Sequence, residues 1–122
     1  VADLDNLFIP PYADDELMRR TLEHNRNLDF VRRILNPKLY PRITEDPRLS
    51  PGDFATHQMS AEVLPDGRWI AYPNIVHDRE AKKLNWLDPR EAQEYALQSG
   101  EYIEFPEKER ALQFAKKYKR GH

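Results

Sequence analysis

THQMSAEVLPDGRWIAYPNIV, Thr56 to Val76, decides the fold. Met59, Ala61 and Val63 alternate with Ser60 and Glu62, the period of two in which successive side chains point to opposite faces of a strand. Pro65-Asp66-Gly67 supplies turn chemistry, with glycine for the positive φ, and Arg68 to Tyr72 returns as the second strand of a hairpin. Pro73 has no N–H to donate, so it ends the pairing or marks a sheet edge. A lone hairpin is marginal in water, so helices must cover this one.

Downstream, residues 77–87 read as polar and irregular until Leu84, Trp86 and Leu87. A helix then starts at Asp88-Pro89-Arg90-Glu91, with Asp88 as N-cap, proline in the first turn and Glu91 completing a capping box. Ala92, Tyr95, Ala96 and Ser99 give it a small-residue face suited to close packing on a sheet, and Gly100 is its C-cap. Glu101 to Phe105, EYIEF, reads as a short strand with Tyr102 and Glu104 on one side and Ile103 and Phe105 on the other. Pro106 opens a last helix with a stripe of Ala111, Phe114, Ala115 and Tyr118. Lys116, Lys117, Lys119 and Arg120 suit the negative end of its dipole.

Upstream, Pro37, Pro41, Pro47, Pro51 and Gly52 make residues 37–53 a stiffened extended loop. Before it, Leu17, Met18, Leu22, Leu28, Val31, Ile34 and Leu35 recur at helical spacing, with acidic Asp14, Asp15 and Glu16 at the start. Asn25 and Asn27 are poor helix-interior residues and good caps, so the segment reads as two helices broken there, ending at Asn36-Pro37. Residues 1–13, VADLDNLFIPPYA, read as an extended apolar arm because Pro10 and Pro11 interrupt any helix. Its apolar side chains want a surface, either the core of the same chain or a neighbouring subunit.

The expected fold is thus α+β: a helical N-terminal half, a small antiparallel sheet built from the hairpin with EYIEF as a possible third strand, and two C-terminal helices packed on it. Residues 14–120 read as one domain behind the arm, since 122 residues suit a single core. Only 39% of residues are hydrophobic and 33% are charged, so much of the chain is surface or loop. A net charge of -2 gives no overall pull toward nucleic acid or acidic membranes. The absence of cysteine excludes disulfides, thiolate metal sites and a Cys nucleophile. No apolar run reaches the ~20 residues needed to span a bilayer, and the N-terminus lacks a signal-peptide pattern, so the expectation is a soluble chain made in a cytoplasm.

Few residues invite chemistry. His57 and His77, with Asp78 and Glu80 beside the latter, could be ligands, but they lie in a segment without the regular spacing of a metal site. Glu101 and Glu104 could form a carboxylate pair, except that a spacing of three on a strand sends them to opposite faces. Lys116, Lys117, Lys119 and Arg120, with Tyr118 between them, could grip phosphates, although a basic last turn is expected from the helix dipole alone. Trp69, Tyr72 and Trp86 could stack on a ligand or key the hairpin to its helices.

The order of motifs carries more than any one of them. Phe30-Val31-Arg32-Arg33-Ile34-Leu35-Asn36-Pro37, then Thr56-His57-Gln58-Met59, the strand pair with Ile70-Ala71-Tyr72-Pro73-Asn74-Ile75-Val76, the helix ending Glu94-Tyr95-Ala96-Leu97-Gln98-Ser99-Gly100, EYIEF, and the closing Phe114-Ala115-Lys116-Lys117-Tyr118-Lys119 together resemble a small domain of tailed-bacteriophage virion proteins. The resemblance covers roughly Leu28 to Tyr118, and the segment HDREAKKLNW after Val76 lacks the glycine turn of the pattern. It implies a non-enzymatic minor structural protein of a phage particle, made in the host bacterial cytoplasm, with no cofactor and no catalytic residue. Its partners would be other virion proteins, with self-association in the particle left open, reached through Leu4, Leu7, Phe8, Ile9 and Tyr12 of the arm, the proline-rich loop, and Trp69 and Tyr72 of the hairpin. Two alternatives stand beside it: a cell-wall-active accessory protein of phage lysis or entry, and a nucleic-acid-binding regulator using Lys116, Lys117, Lys119 and Arg120.

Overall fold

The computed structural model describes the backbone of residues 11–118 and the side chains from Glu16 onward. The fold is α+β, as expected, with two small antiparallel sheets and helices around them. In chain order the elements are α1 (Pro11–His24), α2 (Asp29–Leu35), a 3-10 turn (Pro37–Leu39), β1 (Met59–Val63), β2 (Trp69–Pro73), β3 (Ile75–Asp78), β4 (Lys83–Trp86), α3 (Pro89–Ser99), β5 (Ile103–Phe105) and α4 (Lys108–Lys117).

The hairpin forms in the expected register, Met59 opposite Pro73 and Val63 opposite Trp69, and β5 adds on the far side of β2. The strand order β1-β2-β5 makes β2 the central strand, so of the two readings of Pro73 the strand end holds and the sheet edge does not. Pro73 is tolerated there because β5 pairs only with Trp69 to Ala71, so no partner on that side needs its missing N–H.

Both faces of β2 are buried, and its side chains alternate between two cores. Ala71 joins Met18 and Leu22 of α1, Phe30, Val31 and Ile34 of α2, Ile103, and Phe114 and Tyr118 at the C-terminal end. Ile70 and Tyr72 point the other way, onto Leu64 and onto Ala92 and Ala96 of α3. The two C-terminal helices therefore pack on opposite faces of one sheet. Ala92 and Ala96 are fully buried, and their small side chains let α3 lie close to the strands. Each fully buried Leu, Ile or Phe contributes roughly 1.5–3 kcal/mol through desolvation, so the central strand and its two layers dominate stability.

Several local readings hold. The helical stretch breaks after His24, α2 ends with Asn36 as its C-cap, and Gly100 closes α3 in the left-handed conformation. The Asp88 carboxylate accepts from the Glu91 N–H at 2.9 Å, while Glu91 accepts from the Asp88 N–H at 3.3 Å. The Glu91 N–H donor holds the Asp88 carboxyl below its ordinary range.

Three readings need correction. Helix α1 begins at Pro11, so Tyr12 belongs to a helix and not to an extended arm; a proline in the first turn costs nothing because that N–H has no intrahelical acceptor. Leu4, Leu7, Phe8 and Ile9 lie outside the described residues. Helix α4 starts at Lys108, with Glu107 as its N-cap, two residues beyond Pro106. Residues 75–86 are a second hairpin rather than an irregular stretch, pairing Ile75 with Trp86 and Asp78 with Lys83. Its turn uses Lys82 at φ 55, the left-handed position a glycine would otherwise fill, and the Asp78 carboxylate accepts from the Ala81 N–H at 3.0 Å.

Asn74 joins the two sheets. It is 3% exposed; its N–H donates to the Gln58 carbonyl and its carbonyl accepts from the Leu87 N–H, each at 2.8 Å, while Oδ1 accepts from the Ser60 hydroxyl at 2.6 Å. A bend at this residue lets β3 leave the plane of β2 without stranding a buried polar group.

Candidate functional site

Where α2, β3, α3 and the segment after α3 meet, a narrow crevice is lined by Asp29, Phe30, Arg33, Val76, His77, Tyr95 and Glu101, among others. Arg33 lies at its base and is 1% exposed. Its guanidinium donates to the Thr56 carbonyl at 3.0 Å and to the Ile75 carbonyl at 2.6 Å, fastening the strand segments on either side of the hairpin to α2. Burial pushes its pKa down from the ordinary value, while the charges of Asp29 and Glu101 pull the other way. Asp29 is shared further, with Arg79 at 3.0 Å and Arg32 at 3.4 Å.

Glu101 has a specific task. Leu28, the N-cap of α2, offers no side-chain acceptor, and the Glu101 carboxylate takes that place from 72 residues away, accepting from the Asp29 and Phe30 N–H groups at 3.1 Å each. A carboxylate here satisfies two orphan donors and complements the positive end of the helix. The glutamate singled out in sequence for a carboxylate pair is thus a tertiary helix cap, and it precedes β5 instead of lying on it. Glu104 sits on β5 and reaches Arg68 at 3.3 Å.

Three of the other residues picked for chemistry make structural contacts. His77 lies on β3 and meets the Tyr40 ring edge-on at 5.3 Å; His57 meets Tyr118 at 6.1 Å. Asp78 serves the turn before β4. Among the described residues no group of three or more His, Cys, Asp or Glu is gathered as a metal site would need. Of the basic cluster, Lys116 is exposed and Lys117 half-buried, while Lys119 and Arg120 lie outside the described residues.

Tyr72 is fully buried on the α3 side and cannot meet a partner, which corrects its assignment as a contact residue. Burial and the neighbouring Glu62 carboxylate raise its pKa. Trp69 is half-buried opposite Phe105, and the Lys108 ammonium lies over its ring at 5.8 Å. The aromatic strand therefore keys the hairpin to its helices.

The surface feature that periodicity did not expose is the proline-rich loop. Leu39 is 78% and Phe54 52% exposed, the two most exposed large apolar side chains among the described residues. Leu39 ends the 3-10 turn, its N–H donating to the Asn36 carbonyl at 3.1 Å. Beyond it, Ile43 and Ala55 exchange two backbone hydrogen bonds at 2.9 Å, closing residues 43–55 into the loop that carries Phe54. In the middle, Arg48 pairs with Asp46 at 2.9 Å, donates to the Trp86 carbonyl at 3.3 Å and stacks 4.2 Å over the Trp86 ring. The Trp86 Nε1–H is in turn held by Gln58 at 2.8 Å. Arg42 lies 4.5 Å over Phe54, leaving that ring partly covered by a cation. The one sequence signal was compositional: isolated apolar residues in a segment that has neither a helical nor a strand period.

A second apolar feature is a shallow cleft of about 40 Å³ between α1 and α4, lined by Leu17, Met18, Thr21, Phe105, Gln113 and Phe114, with Arg110 at its side. Comparison with family models, with curated proteins and with solved structures finds no match to this chain.

Proposed function

We propose that this chain is a non-enzymatic structural component of a tailed-phage particle that works by binding other particle proteins. The observation that carries the reading is the braced loop of residues 43–55: Phe54 stands exposed on it, pinned by the Ile43–Ala55 bridge and by Arg48 on Trp86, with Leu39 exposed on the 3-10 turn just before it. Apolar groups held in advance on a stiff support lose little entropy when a partner covers them. The motif order that resembles the phage domain runs from α2 to the end of α4 and spans both cores.

The competing readings draw less support. A cell-wall-active protein would rely on Glu101 and Glu104, and these two carboxylates cap α2 and pair with Arg68. For nucleic-acid binding, Lys117 already has another interaction, which leaves exposed Lys116 as the described part of the cluster.

Quantitative mass spectrometry of density-purified particles tests the proposal. A fixed copy number relative to the major capsid protein is expected, and the double variant Leu39→Ser with Phe54→Ser should keep its fold yet drop out of the particles. Absence of the wild-type chain from particles, with abundance in infected cells, would overturn the reading.

A further inference from the structure

The sheet β1-β2-β5 has two edges, and they differ. The β5 edge is three residues long, carries exposed Glu104 and is followed at once by Pro106, the devices that stop one sheet from adding to another. The β1 edge is five residues long, pairs with β2 without a bulge, and contains neither proline nor lysine. Its one charge, Glu62, is turned onto α3, where the Gln93 amide donates to it at 2.7 Å.

The ladder fixes which backbone groups of β1 point outward. Leu64 and Gln58 bond to Arg68 and Asn74 across the hairpin. In an antiparallel pair the bonded residues alternate, so Ser60 and Glu62 also face β2, while the N–H and C=O groups of Met59, Ala61 and Val63 face away from it. Among the described residues no backbone group pairs with that outer row. Val63, at its end, is 49% exposed.

We propose that β1 is a self-association edge, pairing antiparallel with β1 of a second copy about a two-fold axis through Ala61. The strand is self-complementary in this register. Met59 falls opposite Val63 of the partner copy and Ala61 opposite Ala61, all on the face of the first core, while Ser60 falls opposite Glu62 on the other face. Outward donors and acceptors meet with two bonds for each of the three pairs Met59–Val63, Ala61–Ala61 and Val63–Met59. Each carboxylate lands across from a hydroxyl rather than another carboxylate, so the one charged position adds no direct repulsion. An isologous contact of this kind closes as a dimer and joins two three-stranded sheets into one. The inference goes beyond the virion reading and does not depend on it: a monomeric chain could still be a particle component, and a dimer could exist outside particles.

The test uses the full chain. Sedimentation velocity between about 10 μM and about 1 mM, the range of a small transient interface, should show a shift from monomer to dimer. Over the same range, amide exchange followed by NMR should slow at Met59, Ala61 and Val63 together, leaving Ser60 and Glu62 unchanged because β2 already protects them. Val63→Lys places a cation on an exposed position and should weaken the dimer about tenfold while leaving the unfolding midpoint in place. Ala61→Pro should abolish it, since the N–H removed points away from β2. A monomer at every concentration overturns the proposal. So does a dimer in which those amides still exchange freely, or one that Val63→Lys leaves intact.

Discussion

Replacing Glu101 by alanine takes away the carboxylate that caps α2. Two N–H groups, those of Asp29 and Phe30, lose acceptors at 3.1 Å, and Leu28 has nothing to offer in exchange. Loss of an N-cap acceptor costs about 0.5–2 kcal/mol, and hydrogen bonds to a charged group lie toward the upper end of such values. Glu101 is half-buried, so water replaces part of what is lost, but its charge also helps to keep buried Arg33 ionised. These terms together give about 2 kcal/mol for Glu101→Ala. Glu101→Gln keeps one carbonyl oxygen and loses the charge and the second acceptor, so about half that loss is expected. With a urea m-value of roughly 2 kcal/mol/M, the alanine variant should unfold about 1 M earlier. Faster amide exchange should appear at Asp29 and Phe30 before anywhere else in α2. An alanine variant within about 0.5 kcal/mol of the parent, or a glutamine variant as stable as the parent, would refute the capping argument.

Two further outcomes follow from single positions. Lys82→Gly should stabilise the protein by about 0.5–1 kcal/mol, measured by urea unfolding, because Lys82 holds φ 55 and glycine adopts that conformation without a Cβ clash. Burial pushes the Tyr118 hydroxyl up to about 12, so the folded state favours its neutral form. That contribution, roughly 2–3 kcal/mol, is complete below the ordinary tyrosine pKa near 10 and is lost as pH rises toward 12; Tyr118→Phe should flatten the stability curve across this window in unfolding at stepped pH.

Where the fold was legible, short-range chemistry carried the signal. Asp88 and Glu91 satisfy each other within one turn, Gly100 takes a conformation that its missing Cβ permits, and the Pro65-Asp66-Gly67 turn sets a register that the paired strands then follow. The β3–β4 hairpin was missed for the same reason in reverse: its turn relies on Lys82, a residue type with no preference for the left-handed region. Tyr72 and Trp69 look alike as aromatic residues on one strand, yet one is fully buried and the other only partly. Their different burial depends on α3 meeting one face of β2 while α4 meets the other, which no local pattern specifies.

The sequence by itself determined that the helices exist, the first hairpin, both caps of α3 and the α+β class, because these depend on residues within a few positions of each other. Tertiary structure alone decided that β2 is central, that Glu101 caps a helix far away in the chain, that Arg33 bridges Thr56 and Ile75, and that Leu39 and Phe54 remain uncovered. Carboxylates, guanidinium groups and apolar side chains carry no record of their partners. What each one does is set by the groups that chain closure brings within about 3–4 Å of it, and by whether water still reaches it there.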